Sequence, residues 1–359
     1  MRRRRIVAAA IVAGIVTAAC SGGAGSSHSP ASAGSGSPHG STGPASSQSA
    51  PAPSPSTAPL PRGVTTMVGT DPYPFGVTVA FGRVWVSAHD AYSVDVIDPV
   101  TRQTVRTVGL KFQPGSVVSG GGSIWVQSRT DVSLVRIDPD TYATTTVRLG
   151  RSGDMACTIA FGHGLVWAAA GNAAGTGGTV FEIRPSDGTV AARVHVDGFP
   201  CSWASLGDHE WTAIDGGLVE LTPGKATARV IPVGRLGGSM PWLAGAVDGR
   251  LIVTTPDDRF GTVVLRLRPS GTAESVLHRP NDQLLVLDVS HAGVWFASNG
   301  TDQVLVMDPD TMRIRGRGTL ATGEVTPDPT MDPNELWLPD SADTAVVHVD
   351  PGSFLRTAA

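Results

Sequence analysis

Carboxylates, aromatic rings and a few basic groups are the side chains of this chain that could do chemistry. They collect in short polar segments between apolar runs. Asp154, Asp282 and Asp328 each precede such a run, and carboxylates brought together there would hold a divalent cation for metal-assisted hydrolysis or elimination. The sequence does not identify a general base to accompany them. The polar segments also supply a candidate ligand face, comprising Tyr73, Phe75, His89, Asp90, Phe112, Arg129, Asp154, Trp242, Arg259, Phe260, Asp282 and Asp328.

The familiar catalytic motifs are missing from the sequence. It has no G-x-S-x-G elbow, no H-E-x-x-H pair, no phosphate-binding loop and no zinc spacing of Cys and His. His163, His209 and His291 fall in short turns, where we expect them to be solvated. The sequence therefore predicts no catalytic residue, no metal site and no cofactor.

The elements that must position these residues repeat seven times. The second apolar run of each copy carries a bulky marker, at Trp85, Trp125, Trp167, Trp211, Ile252, Trp295 and Trp337. A proline ends the third run of each copy, at Pro99, Pro139, Pro185, Pro223, Pro269, Pro309 and Pro351. The first markers are 40 to 44 residues apart, and both markers agree on the number of copies.

Each copy contains runs of strand length separated by turn residues, with no helical spacing. A four-stranded antiparallel meander cannot bury both of its faces alone, so it needs copies on either side. This period is typical of propeller blades, and the sequence predicts an all-β, seven-bladed β-propeller over residues 63–359. The last copy lacks an outer strand. We expect Val64 to Val68 to supply it, because an open ring would leave an exposed edge.

Residues 1–19 have the features of a bacterial export signal. Arg2 to Arg5 are basic, and Ile6 to Ala19 form an apolar segment that is shorter than the roughly 20 residues a membrane span needs. Thr17-Ala-Ala-Cys20 resembles the lipobox of bacterial lipoproteins, apart from Thr17 at a position where leucine is usual. Cys20 is therefore predicted to carry a lipid that anchors the protein outside the cell membrane. Cleavage nearby with ordinary secretion is the alternative.

Residues 20–62 are predicted to form a disordered tether. Ser21 to Pro61 consist almost entirely of Ser, Gly, Ala and Pro and carry no formal charge, so they have nothing to bury. A flexible coil of this length reaches roughly 30 to 40 Å. Cleavage after Ala19 removes four arginines and no acid, which changes the formal net charge from −4 to about −8. An acidic protein of this kind is not expected to bind nucleic acid.

Two cysteines stand in matching sequences, Cys157-Thr-Ile-Ala160 and Cys201-Ser-Trp-Ala204. Each lies ten residues before the marker of its blade, at the start of the innermost strand. Neighbouring innermost strands converge on the axis, so the Cα atoms should lie within the roughly 4.4 to 6.8 Å that a disulfide requires. The oxidising exterior favours a disulfide between them. Equivalent residues of adjacent blades tend to point the same way round the ring, however, and two buried thiols are the alternative.

The chain from about Val64 to Ala359 resembles the YVTN and streptogramin-lyase-like superfamily of propellers. The residues that carry the resemblance are P-x-G-V-x-V-x-x-G-x-V-W-V-S and V-x-V-I-D-P-x-T in the first blade, and Gly293-Val-Trp-Phe with Met307-Asp-Pro-Asp-Thr311 in the sixth. Streptogramin lyases carry W-F-T-E and a metal-assisted His/Glu site. None of the seven copies here has Glu three residues after the marker. The resemblance therefore implies the fold without the lyase site.

Two functions of different classes remain open. The favoured one is a non-enzymatic binding or scaffold module at the cell envelope, whose acidic and aromatic face takes a protein, peptide or glycan. The other is a metal-assisted hydrolase or lyase that uses Asp154, Asp282 and Asp328 at the mouth of the central channel.

Overall fold

Strand pairing divides the described part of the chain into seven sheets of four antiparallel strands. The computed structural model describes residues 64–150, 155–171, 176–234, 241–257, 261–290, 292–298, 303–319, 330–332, 335–340 and 344–352. The first strands of neighbouring sheets contact one another around a ring, which makes the sheets the blades of a β-propeller. The predicted fold class is confirmed.

Blades 1 to 3 follow one another along the chain. Blade 1 contains β2 (Pro74–Ala80), β3 (Arg83–Ala88), β4 (Ser93–Asp98) and β5 (Gln103–Gly109), following β1 (Val64–Gly69). Blade 2 contains β6 (Pro114–Gly120), β7 (Ser123–Ser128), β8 (Ser133–Ile137) and β9 (Thr144–Arg148). Blade 3 contains β10 (Met155–Gly162), β11 (Leu165–Gly171), β12 (Gly178–Ile183) and β13 (Val190–Val196).

Blades 4 to 7 continue the same order. Blade 4 contains β14 (Ala204–Leu206), β15 (His209–Ile214), β16 (Gly217–Leu221) and β17 (Ala228–Pro232). Blade 5 contains β18 (Trp242–Val247), β19 (Arg250–Pro256), β20 (Thr262–Leu267) and β21 (Ala273–Arg279). Blade 6 contains β22 (Leu284–Ser290), β23 (Gly293–Ser298), β24 (Gln303–Met307) and β25 (Ile314–Thr319). Blade 7 takes β26 (Thr330–Asp332), β27 (Glu335–Asp340) and β28 (Ala345–Val349).

The outer strand of blade 7 comes from the other end of the folded chain, as predicted. Strand β1 pairs antiparallel with β28, with Val64 opposite Val349 and Gly69 opposite Ala345. Val68 is buried in a cluster that contains Val77 of blade 1 and Trp337 of blade 7. The two ends of the propeller are therefore joined by a strand ladder and by side-chain packing.

The repeated tryptophans are structural. All six are at most 2% exposed. The indole Nε1 of Trp85 donates to the Ala80 carbonyl at 3.1 Å, Trp125 donates to Gly120 at 3.1 Å and Trp167 donates to Gly162 at 3.0 Å. A buried N–H without a partner is costly, so this bond to the end of the neighbouring strand explains why a large polar-tipped ring fits there.

Polar side chains on the third strands bind the next blade. Arg136 Nη1 donates to the Ser186 carbonyl of blade 3 at 2.9 Å. The Gly224 amide of blade 4 donates to Glu182 at 2.7 Å. In each case the partner is the turn between the third and fourth strands of the following blade, so adjacent blades are held in register outside their apolar contacts.

The Asp-Pro turns have the predicted role. In blade 1, the Val100 and Thr101 amides donate to Asp98 Oδ1 at 2.9 and 3.0 Å, and these bonds lower the pKa of Asp98. Asp138 and Asp308 cap their turns in the same way. These carboxylates are therefore engaged as turn caps.

The targeting and tether segments, residues 1–62, lie outside the described residues, as does Cys20. Across the ranges that are described, the chain has no helix with the length and apolar character of a membrane span.

Candidate functional site

The loops of a propeller blade are divided between two faces. The upper face carries the loops that enter each first strand and those that join second to third strands, and the lower face carries the other turns. Four of the predicted upper-face residues, Asp154, Arg259, Phe260 and Asp328, lie outside the described residues. The structure places the other eight as follows.

Five of those eight residues form one group on the upper face, here called the blade 1–2 cluster: Tyr73, Phe75, His89, Asp90 and Arg129. The ring centroids of Tyr73 and His89 are 5.5 Å apart, and those of Phe75 and His89 are 6.4 Å apart. The Arg129 guanidinium of blade 2 lies 4.9 Å from the centroid of the Phe75 ring. Residues that are up to 56 positions apart in sequence thus meet where the two blades join.

His89 occupies the centre of the cluster and is held in one orientation. It is 4% exposed, and its amide donates to the Tyr73 carbonyl at 2.9 Å. Its Nδ1 lies 2.8 Å from Asp90 Oδ1. A carboxylate accepts, so Nδ1 carries the proton in this contact and Nε2 is the nitrogen directed elsewhere.

Two tyrosines of this face have strained backbones. Tyr73 has φ 57° and Tyr92 has φ 56°, both in the left-handed region that bulky residues rarely adopt. Tyr92 is also 44% exposed. The same conformation occurs in turns of the lower face, at Phe81 and His163, so it belongs to the tight turns of the propeller in general.

The cluster stands on two β-bulges that the sequence did not reveal. The pairing of β2 with β3 shifts between Pro74 and Val77, and that of β6 with β7 shifts between Pro114 and Val117. Ser87 Oγ accepts from the Gly76 amide at 2.9 Å and donates to the Gly115 carbonyl at 2.6 Å, so it ties the two bulges together. Bulges re-aim side chains, which is why Phe75 turns toward blade 2.

Gln127 and Ser116 were missed by sequence analysis and adjoin the cluster. A Cβ at Gly115 would lie 2.9 Å from Arg129 Cγ and Cδ and 2.9 Å from Gln127 Oε1, so these groups crowd over the glycine. Gln127 is 2% exposed and Ser116 is 1% exposed. Gln127 Nε2 and Ser116 Oγ have no hydrogen-bond partner in the described structure.

The other three described residues are separate from the cluster. Phe112 is buried among apolar residues between blades 1 and 2, Val108 and Val117 among them. Trp242 begins the first strand of blade 5 and is half-buried. Neither belongs to the blade 1–2 cluster.

Asp282 has both of its carboxylate oxygens engaged. Ser298 Oγ donates to Oδ1 at 2.6 Å, and Arg279 Nη2 donates to Oδ2 at 2.5 Å. Of the three carboxylates considered as metal ligands, this is the one that the structure describes. Among the described residues, no group of three His, Cys, Asp or Glu side chains is arranged to hold a metal ion.

Cys157 and Cys201 form a disulfide between blades 3 and 4, with Cα atoms 5.2 Å apart. The pairing of β10 with β11 shifts between Ala156 and Ile159, which places Cys157 within a bulge. Cys201 precedes β14, which begins only at Ala204. Both cysteines therefore lie where regular strand pairing is interrupted or has not yet begun.

A buried glutamate on the lower face was also missed. Glu210 is 1% exposed, although the residue before the marker is apolar in the other six blades: Val84, Ile124, Val166, Leu251, Val294 and Leu336. Ser205 Oγ donates to Glu210 Oε2 at 2.6 Å, and His163 Nε2 of blade 3 lies 3.8 Å from the same oxygen. A Cβ at Gly162 would overlap that oxygen, so glycine makes the room. Comparing equivalent positions along the sequence would have found this glutamate.

His163 is exposed, as expected, and His209 is half-buried; both also take part in hydrogen bonds or ion pairs. His163 Nε2 donates to the His209 carbonyl at 3.0 Å, across the boundary between blades 3 and 4. His209 lies in β15, and its Nε2 is 3.4 Å from Glu220 Oε1. The His163 ring therefore contributes to the contact between these blades, whereas the His209 ring contacts Glu220 of its own blade. His291 is outside the described residues.

Glu210 is expected to make stability depend on pH. Burial raises its pKa to about 7. The folded state then keeps a proton that the unfolded state releases above pH about 4.5, so stability falls as pH rises from about 4.5 to 7 and changes no further above that. We expect Glu210→Gln to remove about 2.5 kcal/mol of the stability difference between pH 5 and pH 8, measured by urea unfolding.

Asp288 provides the comparison for that experiment. Burial raises its pKa to about 6, so Asp288→Asn should remove a smaller part of the same pH dependence. An unchanged difference between pH 5 and pH 8 in Glu210→Gln would show that Glu210 does not titrate in this range.

A small cleft lies on the lower face between blades 5 and 6. It is lined by Val247, Asp248, Arg250, Arg266, Pro309 and Asp310 and has a volume of about 70 Å³. That volume holds about two water molecules, whereas sites for small organic ligands occupy roughly 300 to 1,000 Å³. Arg266 Nη1 donates to the Pro309 carbonyl at 2.9 Å, so the cleft belongs to the contact between blades.

The fold is similar to propellers of known structure. A chain of Kuenenia stuttgartiensis hydrazine synthase matches with a TM-score of 0.61 and 14% identity, over 80% of this chain and 98% of that chain. The WD40 β-propeller domain of Doa1 matches with a TM-score of 0.61 and 14% identity, over 80% and 96%. BamB from Moraxella catarrhalis matches with a TM-score of 0.53 and 13% identity, over 78% and 83%.

At these identities the likeness concerns the fold alone. No protein-family model matches the sequence, and no curated protein matches it.

Proposed function

We propose that this chain is an exported, lipid-anchored β-propeller that acts as a non-enzymatic binding or scaffold module at the cell envelope. The observation that carries the proposal is the blade 1–2 cluster, in which aromatic rings, His89 and Arg129 from two blades meet on the upper face. Within the superfamily it resembles, we assign the chain to members without the lyase site. Its ligand is a protein, peptide or glycan.

The chemistry of the described residues favours binding over catalysis. Asp282, one of the carboxylates of the alternative metal site, is engaged by Ser298 and Arg279. Rigid rings with a single cation and oriented donors are typical of recognition surfaces.

The entry point of the chain suits this function. Val64 pairs with Val349, which ends a third strand at the lower face, so the chain enters the propeller from that side. In the proposal, residues 1–19 are removed, Cys20 carries the lipid and residues 20–62 form the tether.

Photo-crosslinking in intact cells tests the binding surface. Tyr92 and Phe81 make a matched pair, because their φ values are 56° and 55° and they are 44% and 51% exposed, on the upper and lower face respectively. A photoreactive phenylalanine at position 92 is expected to give a discrete crosslinked species that position 81 does not give. Tyr73→Ala should weaken it.

Identical products from both positions, or none from position 92, would refute a ligand on the upper face.

Metal analysis of the purified full chain distinguishes the proposed binding function from the alternative, a metal-assisted hydrolase or lyase. A stoichiometric cation that survives dialysis and leaves with a chelator would favour the metal-assisted hydrolase or lyase.

Lipid anchoring has its own test. Cys20→Ser removes the thiol that would be acylated, so the protein is expected to move from the membrane fraction to the medium or the soluble envelope fraction. Ser21→Ala is the matched control and should stay in the membrane fraction. A Cys20→Ser protein that remains membrane-bound would exclude the lipobox interpretation.

A further inference from the structure

We propose that strand β1 of one copy of this chain pairs antiparallel with β1 of a second copy, which makes the outer edge of blade 7 a dimerisation surface. This inference goes beyond the proposed function and does not use the blade 1–2 cluster. It rests on the position of β1 in its sheet and on the composition of the seven outer strands.

Strand β1 has an open edge. Its sheet has the order β1-β28-β27-β26, and among the described strands β1 pairs with β28 alone. The register is regular from Thr66, opposite His348, to Gly69, opposite Ala345. A strand in this position presents a row of backbone N–H and C=O groups that can pair with another strand.

The backbone groups on the open side follow from the pairing with β28. The Thr70 amide donates to the Thr344 carbonyl at 3.0 Å. Successive residues of an antiparallel strand alternate between bonding the neighbouring strand and pointing away from it, so Val68 bonds β28 as Thr70 does. The N–H and C=O groups of Met67 and Gly69 are therefore directed to the open edge, and Gly69 is exposed.

The composition of β1 sets it apart from the other outer strands. Val64-Thr-Thr-Met-Val-Gly69 contains neither a charged residue nor a proline. Charged side chains and prolines on edge strands oppose edge-to-edge association. The fourth strands of blades 1 to 6 each contain arginine, at Arg106, Arg148, Arg193, Arg229, Arg279 and Arg315.

The lack of charge favours a second copy over an unrelated partner strand. Two copies of an arginine-bearing strand paired antiparallel would bring arginine close to arginine, and like charges on paired strands are destabilising. The same strand could still accept an acidic strand of another protein. The absence of arginine therefore matters most where a strand meets its own copy.

A two-fold axis at Val68 fits the groups on the open edge. It places Met67 opposite Gly69 of the second copy, and the reverse pair follows by symmetry. Each pair exchanges two backbone hydrogen bonds, so the contact contains four. The segment before β1 is a poor competitor for this edge, because Pro59 and Pro61 have no N–H to donate.

Sedimentation velocity of the full chain tests the dimer. The measurements use a Cys20→Ser background, because a lipid could drive association by itself. We expect concentration-dependent dimerisation with a Kd of about 10 to 100 µM, since four backbone bonds make a small interface. Gly69→Pro removes the outward N–H of Gly69, and so two of the four bonds, without removing a bond to β28.

We expect Gly69→Pro to raise the Kd by about tenfold or more. Met67→Arg gives β1 the charge that the other outer strands carry and should have a similar effect. Gly109→Pro is the matched control, because Gly109 is exposed at the equivalent position of β5, next to Leu110, whose amide donates to the Tyr92 carbonyl at 2.6 Å. This control should dimerise like the wild type, and thermal unfolding should show that all three variants are folded.

Three results would overturn the proposal: a wild type that stays monomeric over a range of about 1 to 500 µM, an unchanged Kd in both β1 variants, or equal weakening by Gly109→Pro. A monomeric wild type that dimerises only after deletion of residues 353–359 would overturn it as well, because that result would assign the edge to the end of the chain.

Discussion

Deletion of residues 63–70 is expected to destabilise the whole propeller, because it removes strand β1 from blade 7. The deletion exposes the edge of β28 along the pairs from Val64–Val349 to Gly69–Ala345 and takes Val68 out of the core shared with blade 1. A few ladder hydrogen bonds at about 1 kcal/mol each and one buried valine at about 1.5 to 3 kcal/mol give a loss of about 4 to 6 kcal/mol. That is a large fraction of the stability of an ordinary domain.

Deletion of residues 40–47 is the matched control. It shortens the chain by the same eight residues within the predicted tether and leaves β1 intact. Thermal unfolding of both proteins measures the difference, and the β1 deletion should also aggregate, since an unpaired strand edge remains. If the two deletions melt alike, β1 does not close the ring in solution.

Loss of the disulfide between Cys157 and Cys201 is expected to cost about 3 to 4 kcal/mol. The bond closes a loop across a sequence separation of 44 residues and joins two blades near the axis. In the chain-entropy model, a bond of this span restricts the unfolded state by about that amount. Urea unfolding of the Cys157→Ser/Cys201→Ser variant measures the loss, and reduction of the wild type should reproduce it.

Thiol titration tests the bond directly. Denatured, unreduced protein in a Cys20→Ser background should show no free thiol, and reduction should release two. Two free thiols before reduction would exclude the disulfide. Reduction of the double-serine variant is the control, since a reductant should leave its stability unchanged.

The architecture was predictable from sequence because it depends on local patterns. The seven tryptophan or isoleucine markers, the proline that ends each third strand and the alternation of apolar residues are read within a single blade. Closure of the ring was also predictable, because the last copy contains only three strands and an additional strand begins at Val64. Burial of the tryptophans follows from the stacking of two-sided sheets.

The candidate site was predictable only in part. The face was assigned from loop positions, and Tyr73, Phe75, His89, Asp90 and Arg129 were each named. Which of the twelve candidates would meet was not predictable, because Arg129 reaches Phe75 across a blade boundary. Phe112 does not join them, because its ring packs among apolar residues of blades 1 and 2.

The sequence by itself thus determined the number of blades, the order of the strands and the closure of the ring, because a repeating pattern of apolar residues and turns specifies them locally. The tertiary structure decided how side chains are aimed at the boundaries between blades. Cys157 meets Cys201 across the boundary between blades 3 and 4, Arg129 reaches the Phe75 ring across the boundary between blades 1 and 2, and the lack of a side chain at Gly162 accommodates Glu210. Each contact depends on the side chains that a neighbouring blade presents at the boundary, and the period of the sequence does not specify which of them meet.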